Sequence, residues 1–133
     1  VKTIDIVLSL LDPQGNHRAT IEQAWDQDVE HFWIGLSLGT SPDYDFGVTK
    51  VPGLSQDDQE PGTLTFPEFY DLALKLSNRD LIGAAAQEAI EQAALRAEAQ
   101  EWNLWYRRIL LKSINKHFPM ETIREELIRL TSE

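Results

Sequence analysis

The sequence predicts an all-α fold, a compact orthogonal bundle of about six or seven helices with one long polar loop. Three observations carry this. Apolar residues recur at helical spacing through almost every segment outside residues 39–63. An Ala-, Glu- and Gln-rich run covers Ile82–Ala99, all strong helix formers. Pro/Gly and polar clusters, "DPQGN" and "SNRD", separate the periodic stretches. The 133 residues, 42% of them apolar, suit one domain with one core.

Taken in order, Ile4, Val7, Leu8 and Leu11 mark a first helix over residues 3–11, stopped at Asp12–Asn16. A second covers His17–Trp25, with Ile21, Ala24 and Trp25 on its inner side. A third covers about Asp28–Leu38, burying Val29, Phe32, Trp33 and Leu36, and Gly39 is expected to end it. The polar loop follows over residues 39–63, with "YDFGVTKV" as a short extended piece and "SQDDQE" exposed and mobile. Thr65 then caps a fourth helix that runs to about Leu76, with Pro67 and Glu68 in its first turn. The fifth helix is the Ala-rich run, whose face of Ile82, Ala86, Ile90 and Ala93 admits a close neighbour. A sixth covers Glu101–Lys112 on a stripe of Trp102, Trp105, Tyr106, Ile109 and Leu110. The last begins near Pro119 and carries Ile123, Leu127, Ile128 and Leu130.

Composition bounds the function. There is no Cys, so no disulfide and no Cys-based zinc site. No run of eighteen apolar residues and no signal peptide is visible, and a cytoplasmic, monomeric protein is expected. The net charge is −10, from 22 acids and 12 bases, but it is uneven. Residues 1–62 hold 11 acids and 3 bases; residues 63–133 hold 11 and 9. Charges act locally, because the Debye length at physiological salt is about 8 Å. The second half can therefore present a basic face on an acidic body.

No active site is legible. His17, His31 and His117 share no metal-ligand spacing, there is no phosphate-binding Gly-rich loop, and "SQDDQE" lacks the Gly and spacing of a calcium loop. What remains is binding chemistry in the stretch Lys75–Ile123. Arg107, Arg108, Lys112 and Lys116 fall within one helix and its exit, and Arg108 and Lys112, four apart, are expected to share a face. Arg79 precedes the Ala-rich helix, whose start at Gly83–Ala86 has only small side chains, so its N–H groups can approach a phosphate. Small residues with nearby cations suit a grip on a nucleic-acid backbone. The bland reading is that Gly83–Ala86 packs on a neighbouring helix and that the cations pair with the many acids. Composition leaves the two even.

The order of four motifs extends this. "DQDVEHFWIGLSLGTSPDYDFGVTKVPG", "LALKLSNRDLIGAAAQEAI", "WYRRILLKSI" and "METI" follow one another across nearly the whole chain. Together they resemble the N-terminal DNA-binding domain of phage T4-type ATP-dependent DNA ligases. The resemblance implies an all-α domain that holds duplex or nicked DNA across the minor groove through backbone contacts. It implies contact residues at Arg79, Gly83 and Ala84 in the helix-start motif, and at Arg108 and Lys112 in the basic helix. Arg107, Ser113 and Lys116 complete the expected DNA-binding set. Ile82, Ala84, Ser113 and His117 stand where that family often has Thr, Asn, Asp and Gly. The ligases adenylate the Lys of a Lys-x-Asp-Gly motif, which no lysine here begins. No catalytic activity and no cofactor are therefore expected of this chain; ATP and Mg belong to a parent ligase if the chain is a piece of one. A second reading keeps the scaffold but makes the acidic first half a docking face for a basic replication partner.

Overall fold

The computed structural model describes residues 2–54 and 62–132 and is all-helical, with eight helices among them. They are α1 (Thr3–Leu11), α2 (His17–Asp26), α3 (Glu30–Thr40), α4 (Phe66–Ser77) and α5 (Gly83–Arg96). Next comes α6, formed by Ala99–Glu101, a π-helical turn at Trp102–Tyr106 and Arg107–Leu110 in unbroken succession, then α7 (Ile114–His117) and α8 (Met120–Thr131). One core cluster runs through them, and Trp102, Trp105, Phe32, Phe46 and Phe69 are its largest fully buried side chains.

The caps follow from the sequence. Thr65 and Glu68 make a reciprocal capping box at α4, and Asn16 accepts from the Ala19 N–H at the start of α2. Three helices end in paired carbonyl-satisfying turns closed by a non-glycine residue at positive φ. These are Asp28 (49°) after α2, Arg79 (64°) after α4 and Lys112 (55°) after α6. After α6, the Lys112 N–H bonds Ile109 O at 3.1 Å and the Ser113 N–H bonds Arg108 O at 3.0 Å. Asp28 is thus the hinge between α2 and α3 rather than the start of α3.

Gly39 does not end α3, which continues to Thr40. A Cβ at Gly39 would lie 2.6 Å from Ile114 Cγ1, and one at Gly35 would lie 2.5 Å from Trp105 Cζ2. The two glycines, four apart, let α3 press directly onto α6 and α7. The expected inner positions Trp25 and Ile82 are exposed at 41% and 65%. Trp25 packs edge-on against Trp33 at the surface, and α5 begins only after Ile82. The sixth helix stops at Leu110, two residues earlier than expected, because Lys112 reverses the chain.

Residues 41–54 form no strand, yet they are stitched down. Trp102 Nε1 donates to Pro52 O (2.6 Å), and Asn103 exchanges two bonds with the Leu54 backbone (2.7 and 2.8 Å). Phe46 and Val51 are buried. The "SQDDQE" run expected to be exposed and mobile lies outside the described residues.

Candidate nucleic-acid interface

Of the predicted contact residues, Arg79, Arg107 and Lys112 are brought together around residues 41–51. Each grips that segment through its backbone. Arg79 folds back from its left-handed position, so that Nη1 donates to Leu76 O (3.0 Å) and Asp45 O (2.9 Å), while Nη2 lies 3.5 Å from the Asp45 carboxylate. Gly47, at φ 66°, leaves the room: a Cβ there would lie 2.6 Å from Arg79 Nη1. Arg107 Nε donates to Val51 O (2.8 Å). Lys112 Nζ donates to Leu38 O (3.1 Å) and to Ser41 O, capping the end of α3, and sits 5.8 Å from the Phe46 ring centre. Burial lowers the Lys112 ammonium below its usual range, and Asp45 partly restores it.

Arg108 and Lys112 do not share a helix face. Lys112 lies beyond the last turn of α6, and its left-handed backbone sends the ammonium to α3. Arg108 is left differently placed. Its Nη1 is buried without a hydrogen-bond partner among the described residues. Burial, and then the charge of Arg107, lower the Arg108 guanidinium below its usual value. Lys116 is exposed, and neither it nor Arg108 forms an ion pair among the described residues. Ser113 opens the short α7 without a side-chain cap.

Gly83 and Ala84 lie at the exposed start of α5, which has no side-chain cap. Gly83 takes φ 57°, and a Cβ there would meet nothing within 4 Å. This start does not pack on a helix. It borders a groove of about 340 Å³ lined by Phe46, Lys50, Arg79, Ile82 and Gln87. The start of α5 and Lys50 thus line one opening, and a helix start beside a cation suits an anion. Sequence reasoning missed Lys50. The available signal was a lone cation in "GVTKV", inside the acidic half.

Elsewhere the cations meet carboxylates. Arg96 pairs with Glu68 (2.6 Å). Arg18 and Arg129 both bind Glu126, which is only 3% exposed (2.8 Å each). This network ties α2 to α8. Among the described residues, no cluster of three or more His, Cys, Asp or Glu is placed to hold a metal ion, and no helix is long and apolar enough to cross a membrane.

No family model and no curated protein matches the sequence. Two solved structures do. The one named Pmar-Lig_PreS3 matches with a TM-score of 0.86 at 27% identity, over 99% of this chain. The one named Pmar-Lig_Pre. matches with a TM-score of 0.85 at 29% identity, over 97% of this chain. This is a ligase-related helical domain. It spans 31% and 30% of the two chains it matches, so the likeness concerns a part of each ligase-named protein.

Proposed function

We propose that this chain is a DNA-gripping module of a phage T4-type ATP-dependent DNA ligase, holding nicked duplex by backbone and minor-groove contacts without reading sequence. The observation that carries this is the fate of the four cations from Arg107 to Lys116. The chain has 22 acids, yet none of the four meets a carboxylate among the described residues. Two are held by carbonyl oxygens, while among the described residues Arg108 Nη1 has no hydrogen-bond partner and Lys116 no ion pair. A partly buried guanidinium without an acceptor destabilises a fold. An external phosphate would supply the missing acceptor, and Arg is well shaped for it. The groove at Lys50 and the α5 start offers a second anion position. No lysine of the chain begins an adenylation motif, so the module binds and positions while the chemistry belongs elsewhere in the enzyme.

The test is a titration of nicked and intact duplex, followed by fluorescence anisotropy at about 50 and about 200 mM salt. Binding is expected at low salt, with little dependence on base sequence and a steep loss on adding salt. Arg108→Met should lower the affinity about tenfold and flatten the salt slope by about one. It should not lower the unfolding temperature, since it removes a cation that the fold leaves unpaired. Absence of binding at micromolar protein in low salt would overturn the reading.

A further inference from the structure

We propose that the cavity between α1, α3, α4 and α6 binds a small planar nitrogen heterocycle, one that accepts a hydrogen bond from Trp105 Nε1 and donates one to Glu101. None of the predicted DNA-contact residues lines this cavity, so the two readings stand or fall separately.

The cavity measures about 460 Å³, within the range of small-ligand pockets, about 300–1,000 Å³. Its walls are largely aromatic. The His31 and Phe66 rings stack with centres 4.5 Å apart and planes at 18°, and Trp105 and Tyr106 line it from α6. Phe66, Trp105 and Tyr106 are buried, whereas Lys2, Glu30 and His31 are exposed. The site therefore has an aromatic floor and a way in from solvent, and aromatic rings suit a flat partner.

Two polar groups of α6 give the site its direction. Trp105 is 1% exposed, and its Nε1 is buried without a hydrogen-bond partner among the described residues. Trp33 and Trp102 differ, because their Nε1 groups donate to Ala24 O (3.2 Å) and Pro52 O (2.6 Å). A buried indole N–H ordinarily finds such an acceptor, and leaving it without one costs stability. Other sides of the Trp105 ring are taken. Phe32 stacks on it with centres 5.6 Å apart, Phe118 meets it edge-on at 5.8 Å, and Gly35 lies against Cζ2 and Cε2. The cavity that Trp105 lines is the space through which an acceptor reaches it.

Glu101, partly buried, supplies the acceptor. Its Oε2 takes the Tyr106 hydroxyl at only 3.5 Å, which leaves carboxylate lone pairs for a second donor. Glu101 and Trp105 are four apart on α6 and so are neighbours on one side of it. Trp105 and Tyr106 belong to its π-helical turn, in which the Arg107 N–H bonds Trp102 O, and turns of this kind occur frequently at functional sites. A lone-pair nitrogen and an N–H on one ring, as in the five-membered ring of a benzimidazole or a purine, match the Trp105 donor and the Glu101 acceptor.

The test follows the side-chain N–H signals of the four tryptophans by NMR at neutral pH while benzimidazole or indole is added. Benzimidazole carries both the acceptor and the donor; indole has the same size and the donor but no acceptor nitrogen. Benzimidazole should move the Trp105 signal downfield and leave those of Trp33 and Trp102, already bonded to carbonyls, in place. Indole should bind about fivefold more weakly, the share of one neutral hydrogen bond. Glu101→Ala should weaken benzimidazole binding by a similar factor. Trp105→Phe keeps an aromatic ring and removes the N–H, and it should erase the preference for benzimidazole over indole. The comparison of the two compounds on the wild-type protein decides the matter even if that core variant fails to fold. A Trp105 signal that neither compound moves would overturn the site, since its N–H then meets a water at most. Equal wild-type affinity for the two compounds would overturn the Trp105 contact, and equal benzimidazole affinity in Glu101→Ala the Glu101 contact. Duplex plays no part in these measurements, so their failure leaves the DNA reading standing.

Discussion

Lys112 offers the sharpest separation of fold from function. Its backbone sits at φ 55° and its ammonium caps the last carbonyls of α3. Two substitutions divide these effects. Lys112→Ala keeps a Cβ in the left-handed region and deletes the ammonium. A hydrogen bond to a charged group contributes about 1.5–3 kcal/mol net. One ammonium serves both carbonyls here and remains partly solvated, so the loss should be about 2 kcal/mol. Lys112→Gly loses the same bonds but relieves the left-handed strain, about 1 kcal/mol. The order of stability should be wild type, then Gly, then Ala, with steps of about 1 kcal/mol. For a chain of this size each step is about 3–5 °C in unfolding temperature. Thermal and urea unfolding followed by circular dichroism read this directly. An Ala variant as stable as wild type, or a Gly variant less stable than Ala, would refute the clasp. The Gly variant should also retain duplex affinity within about twofold when measured below its unfolding temperature, because one exposed-contact effect of that size is under about 0.5 kcal/mol. A tenfold loss would show that the Lys112 ammonium leaves α3 to meet the ligand.

Other expectations follow from the same contacts. Gly35→Ala places a Cβ 2.5 Å from the fully buried Trp105 ring and should cost about 1–3 kcal/mol in urea unfolding, although Ala is the better helix former. Glu68 is held at about 2 by the Arg96 guanidinium and the Thr65 cap, against an ordinary 4.5. Its contribution to stability is present above pH 4.5 and is lost as pH falls toward 2, so Glu68→Gln should flatten the decline in unfolding temperature across that window. Arg79→Met should loosen residues 45–47, seen as faster amide exchange at Gly47, because the bond to Asp45 O and the ion pair with the Asp45 carboxylate disappear.

Much of the fold was legible because local physics and tertiary packing agree there. The stripe of Phe66, Phe69, Ala73 and Leu76 behind Thr65 gives both the start and the buried face of α4. The stripe of Trp102, Trp105, Tyr106, Ile109 and Leu110 is fully buried, as its spacing demands. The errors occur where a residue has two possible uses. Gly39 reads as a helix stop, but Ile114 needs the space its missing Cβ leaves. Ile82 reads as part of a packing face, but it stands before the first turn of α5 and is exposed.

The candidate site shows the same division more strongly. The amino-acid order by itself determines an acidic chain with helical periodicity, a small-residue helix start and a run of cations from Arg107 to Lys116. Spacing could not tell which cations face outward, because that depends on the backbone turn each one occupies. The left-handed turns at Arg79 and Lys112 send those side chains inward to carbonyls. The turn after α6 also brings the Ser113 N–H back to the Arg108 carbonyl, five positions back along the chain. Only the tertiary structure decided which positive charges hold the fold together and which, like Arg108 Nη1, have no hydrogen-bond partner among the described residues. A carbonyl oxygen made available by a distant helix end has no signature in sequence.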